Sequence, residues 1–233
     1  MAASGWRRAW LAWPGELAVM GRTHGLSGLS AGLGLGAVTG SRPEICLFLG
    51  GVCLLGAYVP DIDHRNSEIT RSVPLLGRLA SRVARLGSRL LYAATRGPRD
   101  EDCSGEHRHA THTLVFALVF GALVGMGTAA TATRLELAGA DELGLLCGAG
   151  MVLGCAVHCL GDALTVRGCP FLWPISILGE TWYELRPPRL LRFRTGGAFE
   201  QFLVVPALTV ISALLIPGVW PIAYGLLPGV LGA

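Results

Sequence analysis

The sequence predicts an all-α, polytopic membrane bundle of about five transmembrane helices, with an amphipathic helix on one membrane face. Three observations carry this. First, the 233 residues are 52% hydrophobic and only 15% charged, against about 25% charged in a soluble domain. Second, the charge is unevenly spread: 112–133 holds almost none and 61–109 is full of it. Third, histidines and carboxylates sit at the ends of apolar runs rather than inside them.

The apolar runs cover roughly 25–40, 45–59, 113–133, 143–160 and 202–231. A hydrocarbon core asks for about 20 residues, so the first two are short, and burial of their ends in protein would compensate. Gly28, Gly32 and Gly36 form one small-residue ridge, and Gly121 and Gly125 form another. Such spacing lets helix backbones approach closely in lipid. The last run is interrupted by Pro217-Gly218 and Pro221, so it reads either as one kinked span or as a span followed by a second piece.

Residues 1–19 read as an interfacial or disordered extension, because Pro14 and Glu16 end the Ala-Trp-Leu-Ala-Trp stretch before it reaches signal-peptide length. Met20 is a candidate start. Residues 20–233 form a single membrane-embedded domain, and 65–106 is an insertion on the motif face. Within it Leu75, Leu79, Val83, Leu86 and Leu90 recur at helical spacing, with Arg78, Arg82, Arg85 and Arg89 in a separate stripe. This fits a helix on anionic headgroups and equally a cap packed on the bundle. Residues 168–200, rich in proline and holding Trp173, Trp182 and Tyr183, read as an interfacial connection with aromatic anchors.

If the runs cross in succession, Thr23-His24, Pro60-Asp61-Ile62-Asp63-His64, His107 to His112 and His158 to Asp162 all fall on one side. That side also takes every arginine except Arg42 and Arg134. The positive-inside bias therefore predicts a cytoplasmic motif face. All the basic residues are arginine and the net charge is only +3, so no nucleic-acid partner is expected. The seven cysteines form no CxxC pair and read as small hydrophobes. Cys159, beside His158, is the one soft donor near the motifs.

Nitrogen and oxygen donors gathered on one side are what a metal site needs. His24, Asp61, His64, His107, His112, His158 and Asp162 are the candidate ligands. His158 and Asp162, four apart, share a helix face, and Thr165 follows nearly in line as a supporting residue. His107 and His112, five apart, diverge on a regular helix, so a turn with Thr111 as N-cap is expected between them. His109 is expected to face solvent. Seven donors exceed one tetrahedral site and point to two or more divalent ions, zinc first and manganese second. Paired ions activate water for displacement at phosphorus. Asp63 reads as a further ligand or a general base, and Glu200 as a second candidate for moving the proton. Arg65, Arg108, Ser67 and Arg71 flank the site and are candidates for holding anionic oxygens, with Arg71 equally a positive-inside residue.

These motifs resemble the YdjM-like family of inner-membrane metal-dependent hydrolases over about residues 20–215. The likeness rests on Thr23-His24, Pro60 to His64 with Ser67, His107-Arg108 with Thr111-His112-Thr113, and His158 with Asp162 and Thr165. Leu172-Trp173-Pro174 and Gly197 with Glu200 agree as well. His109 and Thr113 depart from the usual small residue and serine. The arrangement is distantly similar to zinc-dependent phospholipase C and P1-type nucleases. The resemblance implies a bacterial inner-membrane hydrolase acting on a phosphoester, a lipid-linked one fitting the setting. A metal transporter or sensor, or a metal-stabilised structural protein, is the alternative. Membrane lipids are the expected partners, and the oligomeric state is open.

Overall fold

A computed structural model describes residues 14–64, 67–105 and 107–219, with side chains from Gly21 onward apart from Ile69 and Pro74. The expectations for residues 1–13, for Met20, for Arg65 and for the far end of the last apolar run lie outside these residues. Seven α-helices follow one another: α1 (Pro14–Val38), α2 (Pro43–Gly56), α3 (Glu68–Ser72), α4 (Pro74–Thr95), α5 (Leu114–Arg134), α6 (Ala140–Ala163) and α7 (Val205–Leu215). Short 3-10 turns at Pro60–Asp63, Ala110–His112 and Arg189–Leu191 join them, and one π-turn, Glu200–Val204, leads into α7. Among the described residues there is no β-sheet, only isolated bridges. The all-helical expectation is borne out.

The helix ends follow local chemistry. Pro43 opens α2, where its missing N–H costs nothing, and Glu44 complements the dipole in the first turn. The Thr113 side chain accepts a hydrogen bond from Phe116 N at 3.1 Å and caps α5. Thr113 therefore takes the capping role expected of Thr111, because the 3-10 turn places Thr111 one step too early. Asp141 and Glu142 occupy the first turn of α6.

Three stretches are long and apolar enough to cross a membrane: Pro43–Asp63, Leu114–Arg134 and Ala140–Ala163. The chain is a membrane protein, and among the described residues three helices qualify where about five crossings are expected. α1 is long, but Arg22, His24 and many glycines dilute its apolarity. The helix over Glu200–Leu215 is apolar but short, and Pro217-Gly218 follow its end.

Packing follows the glycines. α6 lies against α5, α2 and α1, and α1 lies against α2 and α7. A Cβ on Gly28 would stand 2.5 Å from Cys53 O, and one on Gly36 would stand 2.8 Å from the Cys46 Cα, so α1 and α2 touch backbone to backbone. On the far side of the bundle, Gly121 and Gly125 meet Gly148 and Gly144 of α6. Both ridges are close-approach seams, as lipid-embedded packing requires.

The clash predicts a contrast. Gly32 faces Leu49 O, whereas a Cβ on Gly51 meets nothing within 4 Å. Gly32→Ala should lower the melting temperature in detergent, by about 1–3 kcal/mol of overpacking strain. Gly51→Ala should leave it unchanged or raise it slightly. Equal effects in the two variants would contradict the seam.

Candidate metal centre

The ends of α2, α5 and α6 converge at one mouth. α2 runs into the Pro60–Asp63 turn, the Ala110–His112 turn precedes α5, and α6 ends at Ala163 just past Asp162. Four donor atoms meet there. His112 Nε2 lies 3.7 Å from Asp61 Oδ1 and 3.4 Å from Asp162 Oδ2. His158 Nε2 lies 3.7 Å from Asp61 Oδ1 and 3.6 Å from Asp162 Oδ2. Ligands about 2.1 Å from a tetrahedral ion stand about 3.4 Å apart, so these separations match the edges of a coordination polyhedron and are long for hydrogen bonds.

Three of these atoms are otherwise unsatisfied. His112 Nε2, His158 Nε2 and Asp162 Oδ2 are buried without a hydrogen-bond partner. Orphaned buried polar atoms are costly, and three of them beside the Asp61 carboxylate fit a divalent cation. His158 Nδ1 lies 2.7 Å from Ala57 O. The ring donates that proton to the carbonyl, which leaves Nε2 as the lone-pair side. His112 Nδ1 lies 3.0 Å from Thr111 Oγ1 and is steered likewise. Burial alone would push His112 down, but the carboxylates of Asp162, Asp61 and Asp63 around it outweigh that and raise it to about 10.

The remaining candidates are arranged around this cradle. The His24 ring stacks on His158 at 3.8 Å, and its Nε2 lies 3.5 Å from Asp162 Oδ1. His24, His158 and Asp162 form a second possible ligand group, and Asp61, Asp63 and His107 a third. Asp63 is engaged differently from Asp61. His107 Nδ1 lies 2.7 Å from its Oδ1, while Oδ2 accepts from Thr111 Oγ1 at 2.8 Å and from Arg108 N at 3.2 Å. All three partners lie in one loop, so Asp63 fastens that loop to the end of α2. His64 packs its ring 5.0 Å from that of His107, outside the four-atom cradle.

Arg108 reaches back across the site. It adopts a positive φ of 59°, a conformation that costs a residue with a Cβ. Its guanidinium lies 2.8 Å from Asp162 Oδ1 and 3.2 Å from Thr165 Oγ1. Thr165 also donates to Asp162 O at 2.7 Å, in keeping with a supporting role.

Several expectations are redirected by the geometry. Both Glu200 oxygens are engaged, Oε1 by Thr23 Oγ1 at 2.5 Å and Oε2 by Gly196 N at 2.7 Å. Glu200 therefore ties α1 to the π-turn before α7. Ser67 caps α3, accepting from Thr70 N at 3.4 Å, and Arg71 pairs with Glu68 at 3.2 Å on the surface. His109 is half-buried: its Nδ1 is 2.9 Å from His107 O, its Nε2 is 3.4 Å from Cys103 Sγ, and its ring sits edge-on to Tyr92. Burial pushes it below the ordinary histidine range. Trp182 is buried and stacks on Trp173 at 4.9 Å, so it packs the loop layer instead of anchoring in lipid. Cys159 lies in an apolar cluster with Ala163 and Cys169, and every cysteine is a free thiol.

Arg85 and Ser88 of α4 are the residues that sequence spacing failed to single out as site supports. Arg85 NH1 approaches Asp63 O at 3.5 Å. Ser88 Oγ donates to Gly105 O at 2.6 Å and accepts from Ala110 N at 3.1 Å. A serine opposite the leucines was the available signal.

Fold and site together define a helical membrane protein with a buried histidine–aspartate centre at one mouth of its bundle. Residues 19–221 match the family described as YdjM inner membrane protein, and the chain belongs to that family. It is also similar to the uncharacterized protein YvsG of Bacillus subtilis (strain 168), with 27% identity over 192 residues, covering 82% of this chain and 91% of the relative. No solved structure matches it.

Two outcomes test the centre. Asp63→Asn and Thr165→Ala should weaken zinc affinity by about 10–100-fold, measured by competition with a chromogenic chelator. Unchanged affinity would remove them from the supporting shell. Cation binding near neutral pH should also expel the His112 proton, because a ligand imidazole must be neutral. Its raised pKa makes affinity rise as pH rises towards about 10. Calorimetry in buffers of different ionisation enthalpy reads the released proton, and buffer-independent heats would show that His112 enters neutral.

Proposed function

We propose that this protein is a metal-dependent hydrolase of phosphoesters, working at the cytoplasmic mouth of a membrane bundle. The observation that carries this reading is the cradle of Asp61, His112, His158 and Asp162, spaced like a coordination shell, in which His112 Nε2, His158 Nε2 and Asp162 Oδ2 are buried without a hydrogen bond. Zinc suits two imidazoles and two carboxylates, with manganese the next choice. Asp61 belongs to two of the possible ligand groups, and Asp162 turns its second oxygen to His24. Those two carboxylates are the ones placed to reach a second cation. A bound divalent ion lowers the pKa of water and stabilises charge on phosphoryl oxygens.

The protein's own groups supply the rest. Asp63 fixes His107 in one tautomer through Nδ1 and leaves Nε2 as the proton-accepting atom, the logic of a base held by an orienting carboxylate. His107 is partly open, with 28% of its side chain exposed, as an exchanging base needs. Arg108 holds Asp162 in place and balances part of its charge. About five membrane crossings, with α1 and the Glu200–Leu215 helix completing the bundle, would bring every motif to the arginine-rich side. The positive-inside bias then makes that side cytoplasmic.

A transporter would place its ligands near the bilayer midplane. Here every ligand group lies at helix ends or, for His24, one position from the Thr23–Glu200 tie, which favours surface chemistry.

The test is metal content and phosphodiester hydrolysis on the same detergent-purified samples. Wild type should carry zinc or manganese and hydrolyse a generic phosphodiester, and Asp61→Ala and His158→Ala should lose both. His107→Ala should keep its metal and lose hydrolysis. Metal lost with His107 would make it a ligand, and metal bound without hydrolysis of any phosphoester would leave a binding protein.

A further inference from the structure

α4 turns its polar face inward. Ser81, Ser88 and Tyr92 are buried, and the helix packs mainly on α3 and on the 3-10 turns that carry Asp61, Asp63 and His112. The opposite face is apolar and uncovered: Leu75, Leu76, Leu79, Val83, Leu86 and Leu90 range from 56% (Leu86) to 81% (Leu75) exposed. Six large apolar side chains in one stripe on a 22-residue helix form the kind of contiguous patch that soluble surfaces avoid. The exposed Arg78 and Arg82 occupy one flank of that stripe, beside Arg89, and no acidic residue lies anywhere in α4.

We infer that α4 is an in-plane membrane helix, with its leucine face among the acyl chains and its arginines at anionic headgroups of the leaflet that borders the centre. Three observations select lipid over a protein partner. The stripe continues along the whole helix, as an interfacial helix requires. Its only charges are cationic and lie along the flank, where their stems reach the headgroup layer. The turns beneath it are the ends of the membrane-crossing segments Pro43–Asp63 and Leu114–Arg134, so the bilayer surface is already beside it.

This surface deepens the hydrolase reading and rests on it for its consequence. A helix with side chains is about 10–12 Å across, and a headgroup layer is about 5–7 Å deep on each side. The centre lies on the far side of α4 from the acyl chains, joined to it by Arg85 and Ser88. With the leucine face sunk among the acyl chains, only half of the helix width, roughly 5–6 Å, separates the hydrocarbon boundary from the centre. The centre therefore sits at the level of membrane phosphates, and the substrate class is an amphiphile whose phosphoester stays in the leaflet.

The experiment separates the two claims, because it reads position and not turnover. Leu86→Cys and Leu79→Cys, each with Cys103→Ser, carry a nitroxide in nanodiscs containing phosphatidylglycerol, and a Cys103→Ser protein sets the background. Spin relaxation by oxygen is compared with relaxation by a water-soluble nickel chelate. The expected result is high oxygen accessibility and low chelate accessibility at both positions. High chelate accessibility would place the stripe in water and overturn the proposal. Low accessibility to both would place it against protein, such as a second copy, and overturn it as well. The position result stands whether or not the protein hydrolyses a phosphoester. For the substrate class, hydrolysis of a phosphatidyl substrate in mixed micelles should exceed that of its water-soluble headgroup analogue by at least tenfold, and parity would overturn it.

Discussion

Three aspartates at the mouth of a membrane bundle are the constraint on which the structure turns. Asp61, Asp63 and Asp162 stand within one cluster, two of them almost fully buried. A buried carboxylate is tolerable only when paired and hydrogen-bonded. Each is treated differently. Asp63 is satisfied by the 107–111 loop and so becomes its anchor. Asp162 receives Arg108 on one side and faces the two imidazoles with the other. Asp61, partly open, faces the imidazole nitrogens of His112 and His158 at separations too long for hydrogen bonds. The charge left over is what a cation would neutralise, and the strained backbone of Arg108 persists because two aspartates from different helices hold it.

The cradle's dimensions come from helices that are nearly bare where they touch. Gly154 of α6 lies directly on the backbone of α2 at Cys53, and Gly144 and Gly148 lie on α5. His158 and Asp162 stand at the end of that same helix. Separations of 3.4–3.7 Å between donors on three elements survive only if the helix axes are held to a fraction of an ångström. Glycine seams do this through main-chain contact, without flexible side chains between.

Much of this was legible in the chain. Apolar runs and their charged ends marked α2, α5 and α6, and the i, i+4 pair His158–Asp162 foretold one shared face. The gathering of His24, Asp61, His112 and His158 followed from counting crossings. What could not be read was which donors would face each other. Asp61 and Asp63 look equivalent in sequence, but only Asp63 points at the loop. Thr111 and Thr113 look interchangeable, and the 3-10 turn gives the cap to the second. The tie that Glu200 makes between Thr23 and Gly196 was not legible either, because those partners are remote from one another along the chain. Among the described residues α1 has the length of a span, but its glycines, Arg22 and His24 keep it from qualifying by composition.

α2 and α6 both terminate at this mouth, and Ala57 O, at the end of α2, is the carbonyl that receives His158. Each helix thus delivers the negative end of its backbone dipole, an attraction of about 0.3–1 kcal/mol for a nearby cation. α5 brings a positive end, but Thr113 already occupies one of its free N–H groups. The field of these helix ends and carboxylates favours cations at the mouth and disfavours anions. A divalent ion held there would reverse the sign of that field, so an anion would meet attraction only once the cation is in place.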